Sequence, residues 1–450
     1  MKKGSQLTLT VSELGENGDG IAFEKNNFRV YISGAIPGDK VLSLVTESFK
    51  TYAKAKILKI LEFSNERVKP KCQVCGICGG CQIQQMNYFS QLELKRQIVK
   101  KNLQIHDFEI SNCIGSKTIF RYRNKALIPF ALDENMKIVA GIYAKNSHEI
   151  VDYKDCKLGV KENETIIKII ISHLKKYGIK PYNEKTLSGV LRHVLIRKAF
   201  FTGEIMVSLI INAEELPFEN QLVESLKSGV EGLKTVCINP NMQNTNVIKG
   251  ENYRTIFGSG YITDFIGEVK FKISPLSFYQ INTLQIKVLY DKVLEFAQLT
   301  GNETVFDVYC GVGTISLFLA KKSKKVYGVE IIPQAIEDAK QNAEINNISN
   351  AEFLCGKAEE VIPEIIENQN IKADVVIVGP PRKGCEETLL RSIVKIKPKN
   401  FVYVSCNPKS LARDIKFLRE NGFVLEKVQP LDMFPHTVHV ETIAKLKIES

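Results

Sequence analysis

A multidomain α/β protein is the fold class that the sequence predicts, with an N-terminal five-stranded β-barrel, a central α+β domain and a C-terminal doubly wound domain. Short alternating segments separated by glycine-rich turns occupy residues 5–60, as in small β-barrels. Residues 118–275 are rich in strands, with two helical stretches near 159–177 and 218–228. From about residue 285 strands and helices alternate, which is typical of a parallel sheet covered by helices. A chain of 450 residues has room for two to four such domains.

The predicted barrel spans residues 1–62 and is basic. Its strands are separated by the turns LGENGDG and IPGD. Small basic barrels of this type commonly bind nucleic acids. The lysines that follow its penultimate strand either meet a phosphate backbone or form a solvated face: Lys50, Lys54, Lys56 and Lys59.

The net charge of +11 is distributed unevenly along the chain. Residues 1–200 contain 33 Lys and Arg against 19 Asp and Glu, a net +14, whereas the remaining 250 residues contain 28 against 31, a net −3. This asymmetry predicts a polyanion-binding portion joined to a near-neutral catalytic portion. A merely soluble, lysine-rich surface is the equal alternative.

The termini and the hydropathy pattern predict a cytoplasmic protein with no membrane association. No run of about 18 apolar residues is present. The start, MKKGSQLTLTVSELG, lacks the apolar segment of a secretory signal. Eleven cysteines in such a chain do not imply disulfides.

The central portion, residues 63–275, begins with a cysteine-rich segment and a predicted helix. The helix NYFSQLELKRQIVKKNL is expected to bury one apolar side, which carries Phe89, Leu92, Ile98 and Leu103.

A basic run with interleaved aromatics, FRYRNKA, follows the helix. Its cations are Arg121, Arg123 and Lys125. The pattern suits RNA, whose bases stack on aromatic rings and whose phosphates meet arginine, and it fits equally a strand with one charged face.

Four cysteines in the segment RVKPKCQVCGICGGCQ are each separated by two residues. Structural zinc sites usually have a longer insert between two CxxC pairs, so the spacing disfavours four-cysteine zinc. Iron–sulfur clusters do use such short runs. Spacing alone would select Cys72, Cys75 and Cys78, because the last cysteine of such a run often serves elsewhere.

A glycine-rich turn joins the first strand of the C-terminal sheet to a helix in DVYCGVGTISLFLA. Gly311 and Gly313 let the backbone approach a ligand, and Glu330 ends the next strand, where it can bind ribose hydroxyls. Ser316 replaces the third glycine of the dinucleotide fingerprint. Asp307 on the first strand is instead typical of S-adenosylmethionine (SAM) enzymes.

Two later strands also end in chemically informative residues. The apolar strand FVYVSCNP stops at an Asn-Pro pair, which holds Cys406 at its carboxyl end. The preceding strand ends in VGPPRKG, where two prolines stop the hydrogen-bond ladder after Gly379. Ligands of open α/β sheets bind at this edge, although most free cysteines are buried and inert.

Taken together, SCNPKSLARD, PPRKG, FYQIN, DVYCGVGT, DMFPHTVHVE and the cysteine cluster resemble the RNA uracil-5-methyltransferases, with a layout most similar to the bacterial 23S ribosomal RNA enzymes. The resemblance extends over essentially the whole chain. It implies a TRAM barrel at residues 1–62, an iron–sulfur domain at 63–275 and a Rossmann-like, SAM-dependent methyltransferase domain at 276–450. It also implies that the helix at 88–104 can pack on the catalytic domain.

The same resemblance implies a role for individual residues. Cys406 would be the nucleophile and Glu441 the general base. The residues that would contact or line the SAM site are Gln280, Tyr309, Gly311, Gly313, Thr314, Glu330 and Gly379. The family pattern assigns a 4Fe-4S cluster to Cys72, Cys78, Cys81 and Cys156 and leaves Cys75 as an extra thiol.

These roles match the chemistry of uracil. Its C5 is a poor nucleophile until a thiolate adds to C6, and a carboxylate must later remove the C5 proton. Cys406 therefore needs a lowered pKa, which the amino terminus of the following helix is expected to supply. His436 and His439 flank the base and either pack or bind RNA phosphate.

Gly379 departs from the family, which has aspartate at this position. The leading hypothesis is a monomeric enzyme that methylates uridine C5 in 23S ribosomal RNA. Transfer RNA is the alternative substrate. An RNA-binding homologue weakened in catalysis, and an iron–sulfur oxidoreductase with a nicotinamide fold, are the rival functions.

Overall fold

The computed structural model describes residues 1–104, 108–369 and 371–449. In its N-terminal part the strands pair in the order β1-β5-β6-β4-β3-β2, and β1 lies against β3, so the sheet curls into a barrel. The strands are β1 (Gln6–Thr10), β2 (Glu13–Leu14), β3 (Gly20–Glu24), β4 (Phe28–Ser33), β5 (Lys40–Ser48) and β6 (Tyr52–Glu62).

Within residues 1–62 this sheet has six strands where the sequence predicts five. The predicted first strand, QLTLTVSEL, changes its partner halfway. Thr10 pairs with Lys40 of β5, whereas the Ser12 amide donates to the Ile21 carbonyl of β3 at 2.9 Å. The change of partner divides one apolar stretch into β1 and β2, and hydropathy alternation carries no information about pairing.

The central part contains a mixed sheet with strand order β14-β13-β12-β11-β7-β8. Two helices cover it, through a core that includes Ile166, Ile170, Leu222 and Leu226. Both predicted helices therefore exist, shifted by a few residues. The elements are α1 (Tyr88–Leu103), β7 (Lys125–Leu132), β8 (Ile138–Ala140), β9 (Ile142–Tyr143), β10 (Ile150–Val151), α2 (Glu162–Lys176), β11 (Leu191–Lys198), β12 (Ile205–Ile211), α3 (Glu219–Gly229), β13 (Leu233–Pro240) and β14 (Arg254–Gly258).

A hairpin, β15 (Ile262–Ile266) and β16 (Val269–Ile273), follows the central sheet. Its residues Phe271 and Ile273 share a hydrophobic core with Leu289 and Val293 of the next helix. The predicted domain boundary between residues 275 and 276 remains a prediction. The hairpin precedes this boundary in sequence but packs against α4, which follows it.

The C-terminal part is the predicted doubly wound sheet, in the order β19-β18-β17-β20-β21-β23-β22. The strands from β19 to β21 are parallel, whereas β23 is antiparallel to both of its neighbours. The elements are α4 (Thr283–Ala297), β17 (Thr304–Val308), α5 (Thr314–Ala320), β18 (Lys325–Glu330), α6 (Pro333–Glu344), β19 (Ala351–Cys355), α7 (Ala358–Gln369), β20 (Val375–Val378), α8 (Glu387–Ile396), β21 (Asn400–Ser405), α9 (Pro408–Glu420), β22 (Phe423–Leu431) and β23 (Glu441–Ile448).

Helix α1 lies against α9 and β22 of the C-terminal sheet. The apolar face predicted for it is wrong in part, because Phe89 is 84% exposed. Its buried residues recur every four positions and include two polar ones: Gln91, Lys95, Val99 and Leu103. The helix is oriented by polar partners on the segment after β22, which hydropathy cannot reveal.

No helix in the described ranges combines the length and the apolar character needed to cross a membrane.

Candidate active site

The carboxyl ends of four neighbouring strands define the candidate site. Strands β17, β18, β20 and β21 are parallel, so they all end at one edge of the sheet. This edge carries the glycine-rich turn after β17, Glu330 on β18, Gly379 after β20 and Cys406 after β21. Residues predicted from separate motifs are thus brought to one edge, where open α/β sheets bind ligands.

Cys406 and Glu441 are brought together by the one reversed strand beside β21. Ser405 pairs with Thr442, so Glu441, the first residue of β23, is opposite Cys406. Glu441 is buried, with 4% of its surface exposed, and Cys406 is half-buried. The predicted nucleophile and the predicted base are therefore neighbours in a largely dehydrated place.

Burial controls the ionisation of both groups. It raises the pKa of the Glu441 carboxyl to about 7, against an opposing effect of the Arg382 charge. Burial also raises the pKa of the Cys406 thiol, Glu441 raises it further, and Arg382 again opposes. The expectation of a lowered Cys406 pKa from the amino terminus of α9 is wrong, because dehydration and the adjacent carboxylate outweigh it.

Asn407 fixes the strand end that carries the nucleophile. Its side-chain oxygen caps α9 by accepting from the Lys409 amide at 3.2 Å, and its amide group donates to the Arg382 carbonyl at 2.7 Å. The Asn-Pro pair that ends the strand in sequence thus also joins the end of β21 to the loop after β20.

The segment between β22 and β23, which leads to Glu441, is held by α1. Lys95 forms a buried ion pair with Asp432 and donates to the Phe434 carbonyl at 3.0 Å. Gln91 accepts from the His436 amide at 2.9 Å. Sequence reasoning missed both α1 residues, and the signal that could have found them is their four-residue spacing with Val99 and Leu103.

The two histidines beside the base differ in exposure, because His436 is buried whereas His439 keeps an exposed surface although part of its ring is dehydrated. Burial, assisted by the charge of Lys95, lowers the pKa of His436 to about 4. Burial also lowers the pKa of His439. Neutral imidazoles attract phosphate poorly, so the structure favours packing for the buried His436. The exposed His439 contacts the Phe434 ring, and both alternatives stay predictions for it.

The glycine-rich turn holds Glu330 in place. The Gly311 amide donates to one carboxylate oxygen of Glu330 at 3.2 Å, and the Ile331 amide donates to the other at 2.9 Å. Tyr309 has a left-handed φ of 63°, which is uncommon for a non-glycine residue and frequent at functional sites. A Cβ atom at Gly313 would lie 2.8 Å from the Phe353 ring, so glycine is required there.

Ser316, which replaces the third glycine of the dinucleotide fingerprint, has a structural partner. Its hydroxyl donates to the buried Asp307 carboxyl at 2.5 Å. Burial raises the pKa of Asp307 to about 7. Two residues earlier, the Thr314 hydroxyl accepts from the Tyr290 hydroxyl at 2.7 Å. These contacts anchor the start of α5 beneath the turn.

The segment 274–282 joins the central domain to the site. Asn124 donates to the Gln280 carbonyl at 2.7 Å through its side chain and to the Ile281 carbonyl at 2.8 Å through its backbone. Asn282 donates to the Met433 carbonyl at 3.0 Å. Gln280 is thus fixed between β7 and the segment that leads to Glu441.

Five of the six cysteines of the N-terminal half surround one cavity: Cys72, Cys75, Cys78, Cys81 and Cys156. Burial raises the pKa of the first four thiols, and that of Cys75 reaches about 11. Among the described residues, no group of three or more His, Cys, Asp or Glu side chains is arranged to hold a metal ion. The structure therefore brings the thiols to one cavity without a preformed coordination geometry.

Two arginines of the FRYRNKA run lie in or beside this cavity. Arg123 lines it and is half-buried, and its buried Nε has no hydrogen-bond partner within the described residues. Arg121 pairs with Asp155 and donates to the Cys156 carbonyl at 2.9 Å. Of the three predicted RNA contacts, these two are engaged in the protein interior.

Comparison with known proteins agrees with this geometry. The family model for tRNA (uracil-5-)-methyltransferase matches residues 87–448, and that for the TRAM domain matches residues 1–58. A relative from Clostridium tetani, described as an uncharacterized RNA methyltransferase, is 46% identical over 446 residues, which cover 98% of this chain and 96% of the relative. One from Listeria innocua with the same description is 44% identical over 452 residues, covering 100% and 99%.

The chain belongs to the tRNA (uracil-5-)-methyltransferase family. It is thus an RNA methyltransferase, with a TRAM domain at its amino terminus. A solved structure in this family, the Pyrococcus abyssi tRNA (uracil-54, C5)-methyltransferase in complex with S-adenosyl-L-homocysteine, is 30% identical with a TM-score of 0.80. That match covers 98% of this chain and 100% of the other.

Gly379 occupies the position for which the sequence resemblance implies an aspartate. Its amide donates to the Val308 carbonyl at 3.2 Å, which keeps the end of β20 beside the turn after β17. A Cβ atom added here would meet no heavy atom within 4 Å, and the backbone is not left-handed. The position therefore accepts a Cβ atom without a clash or backbone strain.

Gly379→Asp is expected to raise SAM affinity or turnover by about tenfold, the effect of one added hydrogen bond to a charged group. Calorimetric SAM titration and single-turnover methyl transfer measure this. Gly379→Asn, with nearly the same shape and no charge, is the matched control. If both quantities stay unchanged in the aspartate variant, position 379 does not matter in this enzyme.

Methyl transfer by the methyltransferase should increase from about pH 6 to about pH 8, since a base with its pKa raised to about 7 gains its active, ionised form over this range. Arg382→Gln removes the charge that lowers the pKa of both Glu441 and Cys406, so the rise should move to higher pH by about one unit. Single-turnover rates across pH test this. Lys383→Gln, the neighbouring exposed cation, should leave the profile in place, and an unmoved Arg382→Gln profile would contradict the assignment.

Proposed function

We propose that this enzyme methylates C5 of a uridine in 23S ribosomal RNA, with SAM as the methyl donor. The observation that carries the proposal is the adjacency of Cys406 and Glu441 at the sheet edge that also bears the glycine-rich turn. A thiol beside a carboxyl with its pKa near neutrality suits nucleophilic addition followed by proton removal.

In the proposed reaction the Cys406 thiol, after loss of its proton to solvent, adds to C6 of the uracil. The new S–C6 bond pushes electrons onto the ring carbonyl and makes C5 nucleophilic. C5 takes the methyl group of SAM, and S-adenosylhomocysteine leaves. Glu441 then removes the C5 proton, the ring double bond reforms and the Cys406 thiolate is expelled. The substrate base must be flipped out of its stack to expose C6.

The residues proposed for SAM are those at the glycine-rich edge. Glu330, which accepts from the Gly311 amide, would accept from the ribose hydroxyls as well. The others surround the turn and the ends of the neighbouring strands: Gln280, Tyr309, Gly311, Gly313, Thr314 and Gly379. The S-adenosyl-L-homocysteine present in the Pyrococcus abyssi structure supports this ligand.

Arg382 is proposed to promote the first step. It lies one position beyond the two prolines and interacts electrostatically with both Cys406 and Glu441. Because its charge favours the anionic forms of both groups, it offsets part of the dehydration that raises their pKa values. No contact to substrate is needed for this role.

We further propose that Cys72, Cys78, Cys81 and Cys156 hold a 4Fe-4S cluster that shapes the RNA-binding domain. The donor set fits, because the described residues around the cavity provide thiols and neither carboxylate nor imidazole. The Cys156 charge raises the pKa of the other three thiols, so the four interact. Arg123 supplies a cation that would balance the thiolates of the site. The cluster would supply structural order rather than redox chemistry.

Cys156→Ala and Cys81→Ala should lose most of the bound iron and sulfide, since each removes one of four ligands. Cys75→Ala is the matched control and should keep both. Iron and sulfide analysis of protein prepared without oxygen measures this, with visible absorbance as a second readout. Equal iron in all variants would contradict the ligand assignment, and loss in Cys75→Ala alone would move the site to the first three cysteines.

A stable covalent adduct should form when the enzyme meets SAM and RNA that contains 5-fluorouridine, because fluorine at C5 blocks the last proton removal. Cys406→Ala should abolish the adduct, whereas Glu441→Gln should still form an adduct with unmodified RNA, which then accumulates. Gel shift under denaturing conditions measures both. Intact RNA binding with no adduct in the wild type would favour the rival RNA-binding function, and NADH turnover without methylation would favour the oxidoreductase.

Transfer RNA is the second candidate substrate, favoured by the Pyrococcus abyssi relative, which aligns over 98% of this chain. The trapping experiment separates the two when 23S ribosomal RNA and transfer RNA are offered in equal amounts. Methylation of the ribosomal RNA alone is expected. Mass mapping of RNA from a deletion strain identifies which uridine is lost.

A further inference from the structure

Two cations face each other across neighbouring strands of the central sheet. Lys125 at the start of β7 is paired directly with Arg197 of β11. Side chains at directly opposed positions lie on the same face, with Cβ atoms about 5 Å apart, and like charges placed there are destabilising. Lys249 interacts electrostatically with both and donates to the Leu276 carbonyl at 3.3 Å. We refer to Lys125, Arg197 and Lys249 as the cation triad.

The cation triad lacks a counter-charge. None of its three members is paired with a carboxylate of the described residues, and no carboxylate is among the groups that shift their pKa values. Arg197 is 2% exposed and donates to the Ser277 carbonyl at 2.5 Å, yet its Nε and Nη1 have no hydrogen-bond partner in this part of the chain. A buried guanidinium with unsatisfied donors is costly unless a ligand or an anion offsets it.

Two acids of neighbouring segments are engaged with other partners. Asp338 accepts from the Ser277 hydroxyl at 2.9 Å and from Gln334 at 3.1 Å. Asp264 accepts from the backbone amides of Phe200 and Phe201 at 3.0 and 2.9 Å. Burial, followed by the charges of its neighbours, lowers the pKa of the Lys125 ammonium to about 8, the direction expected of an uncompensated cation.

The cation triad adjoins the segment 274–282, which joins the central domain to the site. Lys125 follows Asn124, which holds Gln280 and Ile281. Arg197 and Lys249 contact the carbonyls of Ser277 and Leu276 in the same segment, whose Phe278 is 67% exposed. An anion bound by the lysines would therefore sit beside the segment that carries a proposed SAM contact.

We propose that the cation triad is an anion subsite that binds a backbone phosphate of the RNA strand flanking the target uridine. The half-buried Lys125 and Lys249 would touch the phosphate, and Arg197 would add its unneutralised charge from behind. Ammonium groups are compact point charges that suit phosphate oxygens. The inference rests on the proposed function, because it takes the substrate to be RNA; the carboxylate of SAM is the competing anion.

The test measures RNA affinity of the full-length enzyme against salt concentration. Lys125→Gln and Lys249→Gln should each reduce the magnitude of the slope of log affinity against log salt by about 0.7 to 1, and weaken binding about tenfold at low salt. Lys249→Arg, which keeps the charge, should restore both. Lys137→Gln is the matched control for loss of one lysine. Lys137 directly precedes β8 in the same domain, and its side chain is 62% exposed.

A single neutral methylphosphonate in the RNA tests the contact directly. At one position beside the target uridine, the methylphosphonate should weaken RNA binding by the wild-type enzyme. It should weaken RNA binding by Lys125→Gln little further, because that variant already lacks the phosphate contact. The subsite is overturned if Lys125→Gln and Lys249→Gln show the same salt slope as Lys137→Gln. It is also overturned if these two variants weaken SAM binding while RNA affinity is unchanged. The second result would assign the cation triad to the SAM carboxylate. The two proposals fail separately: changed slopes without any methylation would retain the subsite and reject the proposed function.

Discussion

The antiparallel pairing of β23 with β21 is the constraint on which the proposed chemistry depends. In a sheet whose other catalytic strands are parallel, functional groups collect at their carboxyl ends. A reversed strand brings its amino end to that same edge, so Glu441 meets Cys406 although 34 residues separate them in sequence. The register of Ser405 with Thr442 sets the pair, because a slip by one residue would turn Glu441 to the opposite face.

The segment that leads into β23 depends in turn on α1. The buried Lys95–Asp432 pair and the Gln91–His436 contact connect a helix of the N-terminal half to the residues just before the base. A buried ion pair contributes little net stability, but loss of one partner leaves an uncompensated charge and is strongly unfavourable. The pair therefore acts as a specific link between the cysteine-rich region and the candidate active site.

Sequence patterns predicted the sheet well and the environment of its residues poorly. Helix and strand alternation located β17 to β21 and the turn at Gly311, because these follow from local hydrophobic periodicity. The same reasoning misplaced the buried face of α1, since Phe89 is exposed and Lys95 is buried. It also gave the wrong direction for the pKa of Cys406, because dehydration depends on what surrounds a group in space.

The sequence by itself determined the family, the order of the domains and the residue types that uracil chemistry requires, since motifs with fixed spacing survive without knowledge of the fold. Only the tertiary structure decided which of these residues meet. It joined Cys406 to Glu441 through strand register, turned Arg123 into the cysteine cavity and left Lys125 opposite Arg197 without an acid. Pairing, burial and charge balance arise from contacts between distant segments, and no local pattern encodes them.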